Sequence, residues 1–68
     1  MIDRIAQILE DLFDIPHAKV EASDHLKLDW GIDENEKQLF DYEFCKEFGI
    51  DKVPRGVKTV EDYAGLIG

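Results

Sequence analysis

Apolar residues recur at Ile2, Ile5, Ile8, Leu9, Leu12 and Phe13, with Asp3, Arg4, Glu10 and Asp11 on the other side. This is the spacing of one buried helix face. Pro16 cannot continue a helix and pushes Ile15 toward extended backbone, so the first helix is expected to end near Asp14. Residues 15–32 then lose the period. Val20, Leu26, Leu28 and Trp30 are scattered apolar anchors in a long connection, with room for one short turn at Ser23-Asp24.

The clearest element follows. Asp33 is a good helix N-cap, and Glu36 three residues on completes a D-x-x-E capping box. Glu34 and Glu36 also lie at the positive end of the helix dipole. Phe40, Phe44 and Phe48 recur at i, i+4 and i+8 and form one apolar ridge, and Gly49 is the expected stop. A central helix over residues 34–48 results. Residues 51–58 contain Pro54 and Gly56 and hold at most a short helical turn. Thr59 caps a last helix, with Asp62 at N3 and Val60, Tyr63, Leu66 and Ile67 on its apolar side. Phe13, Phe40, Phe44, Phe48, Leu12 and Tyr63 are the expected shared core. The pattern predicts an all-α fold in a single domain over residues 1–68: a bundle of three main helices plus a short turn of helix.

Charge sharpens this picture. Net charge is −8, and the block 29–51 holds eight acids against two bases. Lys52, Arg55 and Lys58 make the next segment basic, so the chain is charge-polarised. An acidic chain does not suit nucleic acid or an anionic membrane surface, and it favours a basic protein partner. No apolar run approaches the ~20 residues that span a bilayer. The single Cys45 forms no internal disulfide, and no signal-peptide pattern is visible at the start, so a bacterial-type cytoplasm is the expected location.

Chemistry is sparse. His17 and His25 lack partners at metal-ligand spacing. An EF-hand reading from Asp33 fails, because Gln38 stands where glycine is needed and Phe44 where the last glutamate belongs. Glu34 and Glu36 at a helix start read as solvated rather than as an acid and base pair. Acidic neighbours make Cys45 a partly buried apolar residue rather than a nucleophile. No metal, cofactor or catalytic residue is expected.

The better candidates are apolar. Leu39 lies about 100° and Tyr42 about 160° from Phe40 around the helix, so neither belongs to the Phe ridge. As i, i+3 neighbours they form either an exposed patch or a second packed side. Trp30 is likewise either an anchor for the long connection or a contact residue.

The layout resembles that of the acyl carrier proteins over nearly the whole chain. Val20 begins a long connection that leads through Leu26, Asp29 and Gly31 into a capped helix ending in Glu47-Phe48-Gly49-Ile50. Val57-Lys58-Thr59-Val60 is similar to that family's K-I-x-T-V, and Tyr63 falls within its last helix. The family's Gly-x-Asp-Ser-Leu falls on Gly31-Ile32-Asp33-Glu34-Asn35. The resemblance implies a 4′-phosphopantetheine carrier attached through the serine after that Asp. Here Glu34, flanked by Asp33 and Asn35, offers a carboxylate where a hydroxyl is needed. Short bacterial carrier-like proteins lack the serine in the same way. The family's usual acids around its short third helix are replaced by the basic 52–58 segment. The position of Leu39 is usually an exposed acid read by partner enzymes.

The expected function is therefore non-catalytic protein binding on a carrier-like scaffold without a prosthetic group. Glu34, Glu36, Leu39, Tyr42 and Trp30 are its expected contact residues. The partner is a basic protein, a carrier-protein-dependent enzyme among the candidates. The alternatives are a genuine acyl or peptidyl carrier or accessory protein of fatty-acid, polyketide or nonribosomal peptide synthesis, modified at Ser23 or by another chemistry, and a small acidic inhibitor of the immunity type.

Overall fold

The computed structural model describes residues 2–67; Met1 and Gly68 lie outside them. Helix α1 spans Ile2–Phe13, α2 Leu26–Trp30, α3 Glu34–Phe48 and α4 Val60–Ile67. Among the described residues there is no strand, and a single 3-10 turn occupies His17–Lys19. The all-helical bundle expected from the sequence is present.

Helix α1 turns Ile5, Ala6 and Leu9 inward. It stops at Phe13. Asp14 takes a left-handed conformation (φ 60°) that Asp tolerates better than most residues, and its N–H still reaches the Glu10 carbonyl at 2.9 Å. The 3-10 turn folds back on α1, placing His17 Nδ1 3.2 Å from Glu10 Oε1. That contact holds the Glu10 carboxyl below its ordinary pKa, with the His17 hydrogen bonds as the main cause.

Helix α2 is absent from the sequence reading, which left residues 15–32 as a connection with one short turn. Its N-cap is His25, whose Nδ1 accepts from the N–H groups of Lys27 and Leu28, both at 3.1 Å. Asp29 answers from inside the helix, its Oδ2 accepting from the His25 N–H at 2.6 Å. Gly31 closes α2 at φ 69°, a conformation that costs glycine little. One anchor also needs correcting. Leu26 is buried at 2% exposure, but Leu28, two residues on and about 200° around the helix, is 77% exposed.

Helix α3 keeps the expected range. Its capping box is complete: Asp33 Oδ1 accepts from the Glu36 N–H at 2.8 Å, and Glu36 Oε1 from the Asp33 N–H at 3.1 Å. Residues 51–58 form a turn at Arg55-Gly56 and no helix, so the extra short helix sits before α3 rather than after it.

Helix α4 shows how the long connection is tied down. Thr59 Oγ1 accepts from the Asp62 N–H, and Asp62 Oδ2 accepts from the N–H groups of both Thr59 and Lys58. The first two helical N–H groups go elsewhere. Val60 donates to the Asp24 carbonyl at 3.0 Å, and Glu61 to the Ala22 carbonyl at 2.8 Å. Leu26 donates to the Lys58 carbonyl at 3.0 Å, which completes an antiparallel bridge between His25 and Thr59. The orphan donors of a helix start thus hold residues 22–26 in place.

The core is centred on Tyr63, Phe40 and Phe44, all fully buried. Tyr63 stands edge-on to both phenylalanines, with ring centroids 4.9 and 5.0 Å away, a favourable aromatic geometry. Ile5 and Leu9 close it from α1 and Leu26 from α2, while Ile32 and Val57 close it from the connections. Leu12, Phe13 and Phe48 pack at its margin rather than at its centre.

Candidate functional site

With one side of α3 committed to the core, the opposite side is open. Leu39 is 48% and Tyr42 64% exposed. They are successive neighbours on one face, between Asn35 and Gln38 toward the N-terminus and Lys46 toward the C-terminus, all exposed. Of the two arrangements the sequence allowed, the exposed patch is the one present. Helices α1 and α4 cover the Phe40–Phe44 side, and nothing among the described residues covers this one.

The acids of α3 have mostly internal roles. Glu36 is half-buried and caps the helix. Asp41 receives the Tyr63 hydroxyl at 2.5 Å and the Lys37 ammonium at 3.0 Å. Glu47 pairs with Arg4 on α1, and the Arg4 guanidinium lies 4.8 Å from the Phe48 ring centroid. Glu34, in the first turn, is exposed and in no ion pair among the described residues. Asp33 and Asn35 flank it and are exposed too, and Asp33 is engaged in the cap.

Trp30 is drawn inward. Its ring packs against the core and its indole N–H donates to Asp24 Oδ2 at 2.8 Å. The same Asp24 oxygen accepts from the Glu21 N–H at 2.9 Å. Trp30 is therefore an anchor of the connection, with part of its ring still at the surface. Ser23 is exposed in the turn before α2, on a different element from Glu34.

Cys45 is half-buried, and its thiol pKa is raised by burial first and then by Asp41 and Asp51. A nucleophilic cysteine needs the opposite shift. Among the described residues, no group of three His, Cys, Asp or Glu could hold a metal ion, and no helix is long and apolar enough to cross a membrane.

The sequence reading missed one gathering of residues. Lys27, Lys37, Arg55 and Lys58, from α2, α3 and the 55–58 turn, line one cleft beside Glu34. The basic run at 52–58 was visible, but its convergence with Lys27 and Lys37 depends on the fold. Comparison with protein-family models, curated proteins and solved structures returned no match.

Proposed function

We propose that this chain is a non-catalytic protein-binding module whose contact surface is the outer face of α3. The observation that carries the reading is the joint exposure of Leu39 and Tyr42 on a helix whose opposite side buries Phe40 and Phe44. The uncovered parts of this leucine and tyrosine gain nothing from the fold, and each Å² of apolar surface taken from water is worth about 25 cal/mol. A partner that covers them gains part of that free energy, after the cost of association. Glu34 at the head of the same helix adds an unpaired negative charge, and the chain as a whole is acidic, so the partner is a basic protein.

The carrier-like layout belongs to the same proposal. The capped α3 following Gly31-Ile32-Asp33 supports it, and so does the long connection tied to the last helix. With Glu34 in the serine's place, the scaffold would serve through its surface rather than through a prosthetic group. Contacts of this kind suit a carrier-protein-dependent enzyme with a basic docking face.

The test is binding. A partner captured with the parent chain is purified, and its affinity is measured for the parent and for Leu39→Glu. The substitution is expected to weaken binding about tenfold or more, as loss of a central apolar contact does, with the melting midpoint unchanged. Equal affinity would remove this face from the interface. Unfolding of the variant would show that Leu39 supports the fold.

A further inference from the structure

A cleft of about 430 Å³ opens between α2, the start of α3 and the 55–58 turn. The apolar surface it offers is that of Leu28, 77% exposed, while Leu26, Ile32 and Val57 along it are buried in the core. The charges around it are the reverse of the chain's. Four of the eight bases line it, Lys27, Lys37, Arg55 and Lys58, against one of the sixteen acids, Glu34. The lining side chains therefore sum to +3, or +2 once Asp41 is counted against Lys37, in a chain of net −8.

These bases are largely uncommitted. The ion pairs among the described residues are Arg4–Glu47, His17–Glu10 and Lys37–Asp41. Lys27, Arg55 and Lys58 belong to none of them. Like charges drawn together at a concave surface repel one another and focus a positive field into the cleft. An anion placed there relieves the repulsion. The exposed Leu28 adds a second requirement, since its hydrocarbon is covered best by hydrocarbon. The volume lies in the range of small-molecule sites, roughly 300–1,000 Å³.

We propose that this cleft binds a small amphiphilic anion, a carboxylate or phosphate head joined to a short apolar group. The head sits among Lys27, Arg55 and Lys58, where the Arg55 guanidinium can offer paired donors to two oxygens. The apolar group lies against the exposed Leu28. Lys37, held by Asp41, contributes field rather than a free donor. Glu34 borders the site and disfavours a second negative charge near the start of α3. This site shares only Glu34 with the proposed contact surface of α3, and its test does not involve Leu39 or Tyr42.

The experiment is a titration of the labelled chain followed by amide NMR, with four probes: hexyl phosphate, hexanoate, inorganic phosphate and hexanol. At least one of the two amphiphiles is expected to give saturable shifts at Lys27, Leu28, Gly56 and Lys58. Inorganic phosphate and hexanol should each bind at least about tenfold more weakly, because each satisfies only half of the site. Which amphiphile binds better identifies the head. The double variant Arg55→Gln/Lys58→Gln should lose about tenfold or more in affinity with its melting midpoint unchanged, and Lys27→Gln alone should show a smaller loss in the same direction. Absence of saturable shifts with both amphiphiles would overturn the proposal. So would inorganic phosphate binding as tightly as hexyl phosphate, or undiminished binding by the charge variants.

Discussion

The Tyr63 hydroxyl donates to Asp41 Oδ1 at 2.5 Å, and the other oxygen of that carboxylate takes the Lys37 ammonium at 3.0 Å. One polar contact thus joins α4 to α3 at the edge of an aromatic core. Burial, and then Asp41, push the phenol well above its ordinary pKa, so the hydroxyl stays a donor across the working pH range. Tyr63→Phe keeps the ring against Phe40 and Phe44 and removes only the donor. It is expected to cost about 1.5 kcal/mol, as for a hydrogen bond to a charged group. Urea unfolding followed by circular dichroism measures it, and an unchanged midpoint would show that the contact adds nothing.

His25 offers a second measurement. Its ring satisfies two N–H groups that α2 would otherwise leave unpaired. His25→Ala should destabilise the chain by about 1 kcal/mol, the usual worth of a cap, and His25→Asn should restore most of it. Amide exchange at Lys27 and Leu28 should quicken in the alanine variant. Unchanged protection there would mean that the cap does not hold α2.

Asp62 predicts a pH dependence. The Lys58 and Thr59 N–H groups, with the Thr59 side chain, hold its carboxyl below the ordinary carboxylate pKa. A carboxyl whose pKa falls on folding stabilises the fold above its unfolded value of about 3.9. That contribution is lost as pH falls through the lower folded value. The melting-midpoint difference between the parent and Asp62→Ala should therefore be full at neutral pH and shrink in acid. A difference that stays constant into strong acid would show that the ionised carboxylate is not what matters.

Much of this fold was legible because its signals are local. Asp33 with Glu36 and Thr59 with Asp62 close their capping boxes within three residues, and the Phe40–Phe44 ridge follows from helical spacing alone. Helix α2 was not legible. Five residues give no period, and histidine is not a usual cap. The links from Val60 and Glu61 to Asp24 and Ala22 join residues more than thirty positions apart, which no local pattern encodes. Leu39 and Tyr42 were visible as candidates, but their exposure depends on which side of α3 the other helices choose. Trp30 was legible as an anchor or a contact, and its indole bond to Asp24, six residues back in a stretch with no period, has no local signal. The basic cleft was the least legible, since its charges come from three separate elements.

The proposal that this scaffold works without a prosthetic group meets its most direct test in a mass measurement. The purified chain and its Glu34→Ser variant are incubated with coenzyme A and a broad-specificity phosphopantetheinyl transferase, then weighed. No mass increase is expected for the parent, because Glu34 presents a carboxylate where transfer needs a hydroxyl, and Ser23 lies on another element. Glu34→Ser places a hydroxyl directly after Asp33, at the exposed start of α3, and is expected to gain the phosphopantetheine mass, slowly because Asn35 replaces the motif's leucine. A mass increase on the parent chain would contradict the account, and mapping it to Ser23 would make the protein a carrier.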